Sequence, residues 1–236
     1  VVGLGWLAAV AVGVGVAAQA VTGFGFSLIS APFLVAAYRA PAGVRLNLLL
    51  SLAVNVVILA REHRHADGRA AGLLLVSALV AIVPSAYVVH RVGAGPLTVA
   101  AGLVCLLAVG AVAAGRVPRR GRGRAGAALV GFVSGAMNVI AGISGPPVVL
   151  YAVNAEWPLE RTRPTMQLFF LGLNILSLAA LGVPRRIPAA LVVGFAAGWL
   201  TAYSLGRRPS GVTVRRATLI LAAAGSAMAI VRGLTI

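Results

Sequence analysis

The chain has 236 residues, of which 60% are hydrophobic and only 10% charged, with a mean hydropathy of +1.00. A water-facing globular surface carries about 25% charged residues, so this composition excludes a soluble domain and predicts an integral membrane protein. The net charge of +16 comes from 20 arginines set against Glu62, Asp67, Glu156 and Glu160; the arginines cluster between apolar runs, which marks membrane loops and argues against a nucleic-acid partner.

The first apolar run covers residues 1–20. Its Ala18-Gln19-Ala20 resembles a signal-peptide cleavage site, but a basic leader is missing and the apolar part is too long, so the run is read as structure. Further runs follow at 26–38, 45–60, 70–90, 96–115, 125–141, 147–155, 164–182, 188–206 and 214–232, separated by arginine or by glycine and proline. Two of them are too short to span. At 1.5 Å per residue, 26–38 and 147–155 reach only about 20 and 14 Å, against a hydrocarbon core of about 30 Å. Each predicts a half-helix that begins inside the membrane, where non-helical backbone must be buried in protein or line a wet cavity.

The two halves repeat. "QAVTGFGFS" at Gln19 aligns with "NVIAGISGP" at Asn138 at an offset of 119, so that Gln19 falls on Asn138, Gly23 on Gly142, Gly25 on Ser144 and, further on, Asn55 on Asn174. The most basic segment, 116–124, lies between the repeats. The domain reading is therefore a first repeat over 1–115, a cytoplasmic linker over 116–124 and a second repeat over 125–236. If each broken unit enters and returns as a hairpin, the arginines divide 14 to 6 across the membrane. The positive-inside rule then puts the 14 in the cytoplasm and both termini outside. Five segments per half is an odd number, so the second repeat is inverted, a recurrent plan of secondary transporters. The expected fold is an all-α membrane protein with two inverted repeats, each opened by a broken, re-entrant hairpin.

Helix N-termini carry free N–H groups and partial positive charge, so two of them facing each other at the midplane attract an anion. The candidate binding residues at the first break are Gln19, Thr22, Gly23, Phe24, Gly25 and Ser27. At the second they are Asn138, Gly142, Ser144, Gly145, Pro146 and Pro147; Pro147 suits a first helical turn. Asn47 and Asn55, eight apart, and Gln167 and Asn174, seven apart, fall about 80° and 20° apart around their helices and can each line one face. Arg45 and Arg163 enter the same helices as anion escorts, with snorkelling to the interface as the other reading. Close helix packing accounts for most of the 29 glycines.

Other chemistry finds little support. "GISG" at Gly142 matches an intramembrane serine-protease motif, but the histidines are His63, His65 and His90, none of them in the second half, and a serine nucleophile needs a base. Gly23 and Gly25 are only a fragment of a dinucleotide fingerprint. Cys105 is the sole cysteine, so no intrachain disulfide forms, and neither metal nor cofactor is expected. All four acids lie in loops or at segment ends, leaving no buried carboxylate relay. Export of an anion can run without one, because the potential supplies about 2.3 kcal/mol per charge per 100 mV.

At "TGFGFSLISAPFL" and "GISGPPVVLYAV" the sequence resembles the sulfite exporter TauE/SafE family, and the resemblance extends over nearly the whole chain. It implies a bacterial inner-membrane permease for sulfite, organosulfonates or related small anions. The first motif departs from the family in carrying Gly-Phe-Gly-Phe where many members have a denser glycine run. The second carries Ser144 and the Pro146-Pro147 pair. The function expected from both readings is outward transport of a small anion; the rival classes are a passive anion channel and a membrane-embedded enzyme or accessory subunit.

Overall fold

A computed structural model describes residues 2–114, 123–205 and 211–235. Most of the basic linker, with Arg116, Arg119, Arg120 and Arg122, lies outside the described residues, as do Arg207 and Arg208. Among the described residues all regular structure is helical: α1 (Val2–Thr22), α2 (Phe26–Tyr38), α3 (Ala42–Glu62), a 3-10 turn (His63–His65), α4 (Gly68–Arg91), α5 (Ala94–Ala114), α6 (Arg124–Ala141), α7 (Gly145–Asn154), α8 (Leu159–Leu181), α9 (Ala189–Leu205) and α10 (Gly211–Leu234). Each apolar run of the sequence becomes one helix. Seven of these helices, α1, α3, α4, α5, α6, α8 and α10, are long and apolar enough to cross a membrane. The short arms α2 and α7 have 13 and 10 residues, or about 20 and 15 Å of rise.

The largest shift from expectation is the start of α8, at Leu159 instead of residue 164. The arginines that suggest a loop there lie within the helix. Arg161 Nη2 donates to Asp67 Oδ2 at 2.5 Å, and its guanidinium stacks on Trp157 at 4.8 Å. Asp67 in turn caps α4, accepting from Ala70 N at 2.9 Å. That backbone hydrogen bond is the first reason the Asp67 carboxyl is held below its ordinary pKa, ahead of the Arg161 charge.

The halves interlock. α1 lies along α9, where a Cβ on Gly13 would stand 2.8 Å from Gly194 O. Ala9 meets Gly194 and Gly13 meets Gly198, so the two helices run parallel. The same arrangement recurs between α4 and α6, where Leu74 meets Gly131 and Ala78 meets Gly135. These contacts bring the backbones together in the way small residues do in membranes. By contrast, α5 and α10 run antiparallel: Gly95 meets Gly233, and Gly102 meets Ser226. Large apolar side chains also cover the outside, among them Val76 at 68% exposure, Leu107 at 73% and Ile220 at 69%. Apolar surface on this scale marks contact with a partner or with lipid, and for helices of this length the bilayer is the solvent that fits.

Candidate functional site

Both hairpins break on a glycine with positive φ. α1 ends at Gly23, with φ +85°, and α6 ends at Gly142, with φ +72°. This left-handed conformation is one that other residues enter at a cost. Gly23 N donates to Gln19 O at 2.7 Å, and Gly142 N donates to Asn138 O at 2.9 Å. The same cap is thus built twice, at the offset read from the sequence.

The amide side chains fasten the breaks across the interface. Gln19 Nε2 donates to Asn55 Oδ1 at 2.7 Å, and Asn138 Nδ2 donates to Asn174 Oδ1 at 3.2 Å. These are the same pairing at the same offset. Each break also surrenders its glycine carbonyl to the other half: Gln167 Nε2 donates to Gly23 O at 2.5 Å and Asn47 Nδ2 to Gly142 O at 2.8 Å. Asn174 Nδ2 donates to Ser51 Oγ at 3.0 Å, tying α8 to α3, which run antiparallel. Every amide in this set is at most 4% exposed. Leaving one buried polar partner unmatched costs about 1–3 kcal/mol, so the seam holds together as a unit.

A cavity of about 30 Å³ lies between the breaks. Phe24, Gly25 and Ser27 line it from the first break, Ser144, Gly145 and Pro146 from the second, with Gln19 beside them. It has room for one or two waters. The donors that reach it are unequal. In the first turn of α2, Phe26 N donates to Gln19 Oε1 at 3.1 Å and Ile29 N to Gly25 O at 3.2 Å. The N–H groups of Ser27 and Leu28 remain unpaired among the described residues. In α7, Pro146 and Pro147 have no N–H, and Ser144 makes no side-chain cap bond. The two first turns therefore differ in donors: α7 lacks the two that Pro146 and Pro147 remove and keeps the Gly145 N–H.

The other candidates lie around this cavity or away from it. Asn47, Asn55, Asn138, Gln167 and Asn174 form the fastening behind it. Thr22 turns inward on its own break, donating to Ala18 O at 2.8 Å. Pro147 is half-buried on α7. Arg45 stands in the first turns of α3, half-buried, its Nε without a hydrogen-bond partner among the described residues. Arg163 sits outside the cavity. Its Nη2 donates to Ala20 O at 2.8 Å, its Nε faces Glu62 Oε2 at 3.0 Å, and it borders a separate cleft.

Three serines of the network escape a reading based on the amides alone. Ser51 lies four residues from both Asn47 and Asn55. Ser177 accepts from Asn138 Nδ2 at 3.0 Å and follows Asn174 by three residues. Ser30 donates to Asn47 Oδ1 at 2.6 Å and follows Ser27 by three. Helical spacing of three or four from an assigned polar residue is the signal that could have found them.

Among the described residues no group of three or more His, Cys, Asp or Glu gathers to hold a metal. His63 contacts Ala60 O and His90 contacts Ala180 O, each at 3.2 Å. No curated protein and no solved structure matches the chain. Among protein families, residues 7–231 match Sulfite exporter TauE/SafE.

Proposed function

The chain belongs to the sulfite exporter TauE/SafE family, and on that footing we propose that it carries a small anion outward across a bacterial inner membrane. The substrate class is sulfite, a sulfonate or another small sulfur-containing or organic anion. The path runs through the cavity between the two breaks. The observation that carries this reading is that residues from both breaks line one cavity, against the N-terminus of a short helix from each half.

The antiparallel pairs α3/α8 and α5/α10 support inverted five-helix repeats, and the short arms α2 and α7 support re-entrant hairpins. Substrate oxygens accept from the N–H groups of Ser27 and Leu28 and from the Ser27 and Ser144 hydroxyls. A cavity of about 30 Å³ is too small for an oxyanion, so substrate loads only when its lining opens. Loading requires the halves to part along the Asn174–Ser51 seam. No carboxylate lines the cavity, and the membrane potential alone drives export.

The test is flux of radiolabelled sulfite in proteoliposomes at imposed potentials. Outward flux should be saturable, trans-stimulated and steeper as the interior becomes more negative. A Gly142→Val variant should abolish it while eluting as wild type, because a Cβ there would stand 3.0 Å from Asn47 Nδ2 on a left-handed backbone. Flux that ignores potential, or that requires a cation gradient, sinks uncoupled export. Wild-type flux in Gly142→Val removes the cavity from the path. Saturation without trans-stimulation would move the reading to a channel.

A further inference from the structure

The repeat relation makes α4 the counterpart of α9, and α8 the counterpart of α3. α4 packs directly on α8, where Gly172 admits Leu75 so closely that a Cβ would stand 2.8 Å from Leu75 Cδ1. The corresponding place in the other half is open. α9 stands off α3, and a cleft of about 660 Å³ separates them. Its lining departs from the apolar exterior of the bundle. Arg61 and Arg163 supply two guanidinium groups, and Glu62 supplies one carboxylate. Phe195 and Trp199 form an aromatic wall, edge to face with ring centroids 6.5 Å apart. The buried indole Nε1 of Trp199 has no hydrogen-bond partner among the described residues. Arg163 divides its cation between Glu62 and the Ala20 carbonyl, and among the described residues no carboxylate pairs with Arg61.

We propose that the cleft between α3 and α9 binds an amphiphilic oxyanion, an anionic head carried on an apolar body. The head takes Arg61 and the outer edge of Arg163, displacing Glu62 as the guanidinium partner. Arginine suits the role because its planar fork matches an oxyanion geometrically. The apolar body lies against Phe195 and Trp199. Glu62 is then the resident competitor, a carboxylate that holds Arg163 until a ligand arrives. The site is separate from the central cavity. Two sources share this chemistry, a soluble organic anion and an anionic lipid.

The experiment uses the full chain with Trp6→Phe and Trp157→Phe, so that Trp199 alone reports, in phosphatidylcholine nanodiscs. Titration with butanesulfonate should shift Trp199 emission saturably. Arg61→Gln should weaken binding at least about tenfold, and Glu62→Gln should tighten it about fivefold by removing the competitor. Arg61→Gln leaves the Arg163 grip on α1 intact, so the result does not hinge on a variant that loosens the fold. A second arm replaces a fraction of the lipid with phosphatidylglycerol and omits the sulfonate. The same shift there, with butanesulfonate then without effect, assigns the site to lipid; no shift there assigns it to a soluble anion. The site is overturned if neither probe gives a saturable change, or if the change is unaltered in both Arg61→Gln and Glu62→Gln. Because binding is read without transport, this outcome is independent of the flux measurements.

Discussion

At the first break Gln19 reaches past Asn55 and Gln167 to the backbone N–H of Phe26, closing a donor of α2. At the second, Asn138 is one methylene shorter and stops at Asn174 and Ser177. Two donors of α7 are instead deleted by Pro146 and Pro147. One hairpin caps its exposed backbone and the other removes it. The backbone groups still unpaired line a cavity with room for water, where non-helical backbone is tolerated at membrane depth. Free N–H groups remain beside the cavity on both sides, those of Ser27 and Leu28 on α2 and that of Gly145 on α7. The fastening of the two tips is the same, and their donor content differs, two N–H groups on α2 against one on α7.

Truncating the two amides separately should give the largest difference between the breaks. Gln19→Ala strands the Asn55 and Gln167 oxygens and Phe26 N, whereas Asn138→Ala strands only Asn174 Oδ1 and Ser177 Oγ. At about 1–3 kcal/mol for each unmatched buried group, Gln19→Ala should cost at least about 3 kcal/mol and Asn138→Ala clearly less. Thermal unfolding in detergent checks the order, and sulfite flux should fall in the same order. Equal losses would mean that the two breaks are equivalent after all. A finer probe is Pro147→Ala, which returns one N–H to the first turn of α7. If donor count decides where the anion sits, KM for sulfite should fall about threefold, the worth of one modest hydrogen bond; an unchanged KM leaves α7 outside the binding step.

The smallest expected effect comes from Asp67, which touches neither break and serves as the reference. Its carboxyl is depressed below 3.8 by the hydrogen bond from Ala70 N, with the Arg161 charge adding to the effect. A depressed carboxyl contributes stability above its unfolded pKa and loses it as pH falls through the lower, folded value. The melting temperature of wild type should therefore exceed that of Asp67→Asn near neutrality, and the gap should close as the pH drops below about 4. A gap that persists under acid would show that the carboxylate charge is not what holds the cap.

Much of this architecture is legible in the sequence because apolar run length and punctuation act locally. Each run between arginines or Gly-Pro breaks becomes a helix, and the offset linking Gln19 to Asn138 and Asn55 to Asn174 returns as paired hydrogen bonds. The partners of those residues are less legible. Asn47 and Asn55 share a helix, yet one fastens the second break and the other the first, a division set by how the halves cross. Arginine position misleads at α8, since Arg161 and Arg163 look like loop residues but are engaged by Asp67, Glu62 and the end of α1. Nor does periodicity foresee the open cleft beside α9, because it arises where two corresponding helix pairs pack differently.

The pairing of α1 with α9 also bears on biosynthesis. Gly13 and Gly194 meet although about 180 residues separate them. At roughly 5–20 residues per second, the ribosome needs about ten to forty seconds to deliver the partner of the first helix. Through that interval α1 must wait in the bilayer with its glycine face uncovered. The nascent chain thus cannot complete its amino-terminal half first and add the rest afterwards. The first half therefore keeps this face open until the second is made, and a chain severed between them would have to find its other piece to cover it.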